Sequence, residues 1–205
     1  MIFNFTNDYK FTTRLQLKNE NVEVIEKTRL LGTMISNDIK WDQNVSTIVK
    51  KANARMELLR KVASFGTPVD DLKTIYMLYI RSILEQSAPV WHSSLTKENV
   101  DDLERVQKSA IKVILNEKYN GYAQGLAQLG LEDLSSRREQ LCLTFALRCT
   151  KSEKMKHMFP LNPKSHLMNT RVQGKYKVYH ANTDRYKDSA IIYMQKLLNE
   201  NELKQ

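Results

Sequence analysis

The tetrapeptide Val-Asp-Asp-Leu occurs twice in this chain, at Val69–Leu72 and at Val100–Leu103. Adjacent carboxylates can hold the magnesium ions of phosphoryl-transfer enzymes, in which two metals stabilise the attacking and the leaving oxygen. Each pair is therefore a candidate metal site. The alternative is structural, because aspartates in the first turn of a helix face the positive end of the helix dipole and stabilise it.

The residues around both pairs favour the structural alternative. Thr67 and Pro68 precede the first pair and predict a helix N-cap followed by a proline at the first helical position. Thr96 is the predicted N-cap ahead of the second pair. Catalytic aspartate pairs normally sit at a tight turn between strands, whereas both pairs here lead into long helical patterns. We predict helix-start aspartates, no catalytic residue, and no metal or other cofactor in this chain.

Two further groups of reactive side chains receive structural interpretations. His92 stands beside Ser93 and Ser94, but neighbours on one loop rarely assemble a nucleophile with its base and an orienting acid. We therefore predict a structural His92 next to a Trp91 that fills a gap between helices. Cys142 and Cys149 are seven residues apart and share one face of a predicted helix, which favours the core.

The same cysteines with His157 and His166 leave a zinc site as an alternative. The spacing between the cysteines is too wide for a zinc knuckle, and the helix would have to break to bring the histidines close. With two cysteines in 205 residues, no pattern of a secretory signal in MIFNFTNDYKF and no long apolar run, we expect an intracellular protein, nuclear or cytoplasmic, without a membrane segment.

The periodicity of the apolar residues predicts a mainly α fold, a multi-helix bundle with a short N-terminal β unit. Residues 11–36 alternate with period two and predict a hairpin followed by a short strand. Helical stripes then predict helices over 42–64, with Asp42 as the cap and Gly66 as the stop, from Asp70 to before Pro89, over Lys97–Leu115, from about Ser135, and over Asp188–Leu198.

These patterns divide the chain into four predicted segments. They are a β unit at 1–41, a helical region at 42–158, a basic irregular segment at 159–187, and a C-terminal helix within 188–205. The net charge is +9, and residues 137–187 hold 12 Lys or Arg against 3 Asp or Glu. A surplus concentrated in this way is typical of a chain that meets a polyanion, although a solvated basic surface also explains it.

Five segments in this order resemble a known family. They are RLLGTMISNDIKWDQNVSTIVKKANARMELLRKV, LKTIYMLYIRSILEQSAPVWHSSLT, DDLERVQKSAIKVIL, LGLEDLSSRREQLCLTFALRC and RYKDSAIIYMQKLLN. Together they are similar to the C-terminal part of reverse transcriptases from non-long-terminal-repeat retrotransposons, and to the jockey-like elements most closely. The resemblance covers nearly the whole chain.

The resemblance implies that residues 11–36 are the last strands of the palm, with Leu30, Leu31 and Gly32 after the primer-grip hairpin. The helices from Asp42 onward would be the thumb and the helical region that follows it. Family members carry their magnesium-binding aspartates on palm strands upstream of these segments. The expectation is therefore a fragment of an RNA-directed DNA polymerase that lacks the catalytic pair and does not polymerise alone.

A thumb holds the phosphates of the template-primer duplex without reading bases, which implies the backbone of RNA, DNA or their hybrid as the partner. The implied contacts are Lys50, Lys51, Arg55 and Lys61 on the first long helix, and Arg171, Lys175, Lys177, Arg185 and Lys187 in the basic segment. Tyr176 and Tyr179 either stack on bases or pack on a neighbouring helix. The alternatives are a helical protein-interaction scaffold and a non-functional pseudogene product.

Overall fold

The computed structural model describes residues 16–22, 25–162 and 174–203. The described chain is mainly helical and begins with two short antiparallel hairpins, which confirms the predicted fold class. Residues 11–15 and 23–24 of the predicted N-terminal hairpin lie outside the described part. The strands are β1 (Gln16–Leu17), β2 (Glu20–Asn21), β3 (Lys27–Leu30) and β4 (Thr33–Ser36).

The prediction of a single strand after the first hairpin was wrong, because β3 and β4 pair as a second hairpin. Leu31 and Gly32 connect them with backbone φ angles of 47° and 88°. Two consecutive positive φ angles are the geometry of a tight turn whose twist matches the strands it joins. Leu31 and Gly32, which the family resemblance places after the primer-grip hairpin, therefore form the turn of the second hairpin.

Helix α1 (Asp42–Ser64) has the predicted bounds and ends before Gly66, whose φ of 76° confirms the left-handed stop. Its apolar stripe is buried at Val45, Ile48, Ala52, Met56 and Leu59. The predicted cap was wrong: Trp41 occupies the N-cap position, no side chain caps the helix, and Asp42 is its first residue. The Asp42 carboxylate instead accepts a 2.7 Å hydrogen bond from the side-chain amide of Asn99.

The second predicted helix contains three geometries. Helix α2 (Val69–Ile75) continues as a π-helical segment (Tyr76–Arg81) and then as α3 (Ser82–Leu84), ending before Pro89 as predicted. The following residues were predicted to be a connector but form α4 (Ala88–Trp91) and a 3-10 turn (His92–Ser94). Pro89 lies in the first turn of α4, where the missing amide hydrogen is not needed.

Helices α5 (Lys97–Leu115), α6 (Tyr122–Leu129) and α7 (Leu134–Lys151) complete the larger part of the bundle. Thr96 caps α5 as predicted, because its hydroxyl oxygen accepts a 3.2 Å hydrogen bond from the backbone amide of Asn99. Thr67 does not cap α2. Pro68 holds the N-cap position there, and the Thr67 hydroxyl donates to the carbonyl of Val62 in the preceding helix.

Two hydrophobic cores stabilise the chain. The first is formed by α1 to α6 and the start of α7, and Trp91 is fully buried in it as predicted. The second is formed by the outer half of α7, Phe159, Tyr176 and α9 (Ala190–Leu203), which follows the short α8 (Asp184–Lys187). Three of the predicted segments therefore contribute to the second core.

No described helix is long and apolar enough to cross a membrane.

A buried hydrogen-bond network connects the π-helical segment to α5 and α6. The Tyr76 hydroxyl donates to the side-chain oxygen of Gln107, whose amide donates at 2.9 Å to Tyr122 and to the carbonyl of Glu132. Tyr122 in turn donates to the carboxylate of Glu104. Burial raises the pKa of Tyr76 well above its ordinary value, so the tyrosine is a permanent donor in this network.

Candidate nucleic-acid interface

Both aspartate pairs lie at helix starts, where the sequence predicted them. Asp70 and Asp71 are exposed in the first turn of α2, whereas Asp101 and Asp102 lie further inside, in the second turn of α5. Asp102 forms a 2.7 Å ion pair with Arg105. In residues 16–22, 25–162 and 174–203, no group of three or more His, Cys, Asp or Glu side chains is arranged to hold a metal ion.

Cys142 and Cys149 are buried in the second core, as predicted from their seven-residue spacing. Burial raises the pKa of the Cys142 thiol to about 12, which makes this cysteine a poor nucleophile and a poor metal ligand at neutral pH. His157 is exposed on the 3-10 turn at Lys156–Met158, and His166 lies outside the described residues.

The cations predicted on the first long helix all reach the surface of α1. Lys50, Arg55 and Lys61 are exposed and Lys51 is half-buried. Eleven residues are about three turns, so Lys50 and Lys61 project from the same side about 16 Å apart. None of the four takes part in an ion pair within the described chain.

One acidic residue lies on the same side of α1 as Lys50 and Lys61. Glu57 is seven residues after Lys50 and four before Lys61, which places it between them. Its carboxylate is 2.5 Å from the guanidinium of Arg60, one turn further along the helix. Arg60 therefore offsets the charge of Glu57, and the net charge of the face stays positive.

Arg55 contacts the π-helical segment. Its guanidinium carbon lies 5.8 Å from the centroid of the Tyr79 ring, within the range of a cation–π interaction. The π-helical turn places Tyr76 and Ile80 in the core and leaves Leu78 and Tyr79 exposed. No feature of the sequence signalled this turn, because a π-helical insertion differs from an α-helix by one hydrogen-bond register and has no composition of its own.

The described cations that were predicted in the basic segment lie on the extended stretch at 174–182 and on α8, and Arg171 lies outside the described residues. Lys175 pairs with Glu202 of α9 at 2.8 Å, and this hydrogen bond raises its pKa. Lys177 lies 5.9 Å from the ring centroid of Tyr179. Arg185 and Lys187 are exposed on α8.

Arg185 approaches the loop that precedes α1. The Ser36 hydroxyl donates a 2.6 Å hydrogen bond to Asp38 and is the main cause of the lowered pKa of that carboxyl. Lys40 and Arg185 add electrostatic contributions of the same sign. Arg185 of α8 therefore lies close enough to the loop before α1 to lower the pKa of Asp38, and the Asp38 carboxylate offsets part of its charge.

Tyr176 and Tyr179, the two tyrosines implied as base-stacking candidates, differ in their environments. Tyr176 is 7% exposed and packs in the second core, where its amide donates to Asn199, so of the two alternatives the packing role holds. Tyr179 is 36% exposed and its ring remains accessible. Of these two, Tyr179 is therefore the one placed to stack on a base.

A buried arginine beside His92 was not foreseen from the sequence. Arg138 is fully buried on α7, and its Nε donates to His92 Nδ1 at 3.4 Å while the guanidinium lies 5.9 Å from the Trp91 ring centroid. Burial, with the charge of Arg138, lowers the pKa of His92 to about 4. The His92 ring also meets Tyr193 edge-on at 5.7 Å, so it packs between the two cores.

Ser93 and Ser94 have structural roles next to His92. Both hydroxyls donate at 2.7 Å to the carbonyl of Asp188, which precedes α9. The contacts hold α9 against the 3-10 turn after α4. The histidine and the two serines therefore fix the second core to the first.

Comparison with known proteins found no matching family model, no matching curated protein and no matching solved structure. The resemblance to reverse transcriptases consequently rests on the five quoted segments and their order.

Proposed function

We propose that this chain is the C-terminal nucleic-acid-holding part of a non-long-terminal-repeat retrotransposon reverse transcriptase. In this proposal β3 and β4 belong to the edge of the palm, and α1 and the following helices form the thumb and the region after it. The role of the chain is to bind the backbone of RNA, DNA or their hybrid without reading sequence. Polymerisation belongs to the magnesium-dependent palm of the parent enzyme.

The observation that carries the proposal is the exposed, positively charged face of α1. Residues 50–61 contain five Lys or Arg and one Glu. A duplex presents one phosphate charge about every 1.7 Å along its axis, so a face about 16 Å long meets several phosphates at once. Four cations that make no ion pair in the described chain are free to displace the counterions condensed on those phosphates.

A protein-interaction scaffold is the second candidate, and exposed apolar side chains favour it. Leu78 is 64% exposed on the π-helical segment that packs against α1, and Leu58 is exposed on α1 itself. Leucines next to cations also suit an acidic amphipathic partner. A complex that forms with a protein and survives nuclease treatment would favour this candidate, whereas a non-functional product would bind neither class of partner.

Fluorescence anisotropy with a labelled duplex tests the proposal. Neutralising the α1 face in the variant K50Q/K51Q/R55Q/K61Q should weaken duplex binding at least tenfold at low salt. The matched control K97Q/K118Q/R148Q/K151Q removes the same charge from exposed cations on other elements and should retain most of the affinity. Equal losses in the two variants would mean that binding follows net charge alone, and the α1 interface would be rejected.

A further inference from the structure

An apolar pocket with aromatic walls lies at the outer end of the second core. Its volume is about 430 Å³, within the range of roughly 300–1,000 Å³ that is typical of small-molecule sites. Met158, Ala190 and Ile191 supply the apolar lining. The pocket is assembled from the 3-10 turn before Phe159, the extended segment before α8, and the starts of α8 and α9.

Tyr179, Tyr186 and His157 give the pocket its aromatic character. Tyr179 is 36% exposed and Tyr186 is 48% exposed, whereas the neighbouring Tyr176 is buried in the core. Parts of both side chains in the pocket therefore remain accessible to a ligand. Exposed rings of this kind stack on nucleobases whatever their identity, because every base presents a flat π face.

The pocket also contains an unsatisfied polar group. The Ser189 hydroxyl is buried and has no hydrogen-bond partner in the described part of the chain. A hydroxyl both donates and accepts, so it can pair with the edge of any base. A buried polar atom without a partner costs free energy, which a ligand that supplies the partner would recover.

Cations lie next to two of the aromatic residues. The Lys177 ammonium lies 5.9 Å from the centroid of the Tyr179 ring, and Arg185 and Lys187 flank Tyr186 on α8. Phosphates on either side of a base in the pocket would meet these charges. Apolar lining, aromatic walls and a basic rim together fit a nucleotide within a strand better than an uncharged apolar ligand.

Gln195 fixes two parts of the pocket to α9. The side chain is fully buried, its amide donates to the Met158 carbonyl at 2.8 Å, and its oxygen accepts from the Tyr179 amide at 3.3 Å. The 3-10 turn and the extended segment are therefore held together by one side chain. A pocket fixed in this way loses little entropy when a ligand binds.

We infer that this pocket receives one unstacked nucleobase of a single-stranded RNA or DNA, with the adjacent phosphates on Lys177 and Arg185. The inference deepens the proposed function and rests on it, since it assigns single-stranded nucleic acid to the second core and duplex to α1. Tyr179 and Tyr186 stack on the base, and Ser189 hydrogen-bonds its edge.

The test compares three labelled probes of equal length: a base-bearing single strand, an abasic strand with the same phosphates, and a duplex. The wild-type chain should bind the base-bearing strand roughly five- to a hundredfold more tightly than the abasic strand. Y179A/Y186A should abolish that preference and leave duplex affinity within about twofold. The matched control Y179F/Y186F keeps both rings and should retain the preference. Thermal melting establishes that the variants fold.

The outcomes separate this inference from the proposed function. If the wild-type chain binds the duplex but does not distinguish base-bearing from abasic strands, the pocket assignment is wrong and the α1 interface stands. The pocket assignment is also wrong if Y179A/Y186A weakens all three probes equally. Failure to bind the duplex at low salt, with the base preference intact, would contradict the α1 interface alone.

Discussion

Arg55 of α1 lies over the ring of Tyr79 in the π-helical segment, with its guanidinium carbon 5.8 Å from the ring centroid. The contact links the cationic face of α1 to the only π-helical turn in the described chain. It restricts the side-chain rotamers of an exposed arginine before any phosphate arrives. Ordering a long side chain costs free energy, so a cation that is already ordered binds more tightly.

Removing the Tyr79 ring should therefore weaken duplex binding. We expect Tyr79→Ala to reduce affinity roughly two- to fivefold, which corresponds to about 0.5–1 kcal/mol for ordering the Arg55 side chain when the duplex binds. Anisotropy at low salt measures the effect, and Tyr79→Phe, which keeps the ring, is the matched control. A loss of the same size in Tyr79→Phe would show that the hydroxyl, and not the ring under Arg55, is responsible.

Thr96, which caps α5, should contribute more to the free energy of unfolding than an exposed threonine inside a helix. Thr96→Ala removes the acceptor for the Asn99 amide, and we expect the free energy of unfolding to fall by about 1 kcal/mol. Thr74→Ala, which deletes an exposed hydroxyl inside α2, should stay within roughly 0.5 kcal/mol of the wild type. Urea unfolding compares the two. Equal effects would contradict the capping role.

His92 should make the chain less stable in acid. Its folded-state pKa of about 4 lies below the ordinary value of 6.5, so between these pH values the unfolded chain binds a proton at His92 and the folded chain does not. The free energy of unfolding should therefore fall as the pH drops from about 6.5 towards 4. Allowing for the part of the ring that faces solvent, the loss is about 2 kcal/mol.

His92→Gln isolates this contribution, because glutamine keeps an acceptor for Arg138 and does not titrate. Carboxylates also titrate in this range, so the measured quantity is the difference between the two proteins. Urea unfolding at pH 7.5 and pH 4.5 should show a smaller loss in the variant. An identical pH dependence would mean that His92 titrates normally in the folded chain.

The aspartates of the first Val-Asp-Asp-Leu should stabilise α2 without binding magnesium. We expect D70N/D71N to lower the free energy of unfolding by up to about 1 kcal/mol for each residue, through the helix dipole. Thermal melting with and without millimolar Mg²⁺ measures this. Stabilisation of the wild type by Mg²⁺ that disappears in the variant would instead identify a metal site at the helix start.

Long amphipathic patterns were sufficient to predict α1 and α5, two long helices that bury much of the first core. The bounds of α1 and α5 follow from stripes of five or six turns, with Gly66 ending one and Thr96 starting the other. Short local choices were not predictable. Thr67 and Thr96 have the same residue type before a helix, yet the Thr67 hydroxyl pairs with the preceding helix because α1 ends close by.

The candidate site divides in the same way. The exposed cations of α1 follow from one helical period, so the spacing of Lys50 and Lys61 alone predicts that they share one face. The aromatic pocket could not be predicted, because His157 lies 22 residues before Tyr179 in the sequence and their two segments are joined only by the contacts of the buried Gln195. Arg138 has a residue type that is typical of the surface, but its position four residues after Leu134 and four before Cys142 places it on the buried side of α7.

The salt dependence of duplex binding tests the central proposal most directly. Each phosphate contact on a DNA duplex contributes a slope of about −0.9 to the plot of log affinity against log salt. Four contacts from α1 predict a slope of about −3.6 or steeper for the wild type, and K50Q/K51Q/R55Q/K61Q should lose most of it. Affinity that does not change with salt, or an unchanged slope in that variant, would contradict the assignment of α1 to the nucleic-acid backbone.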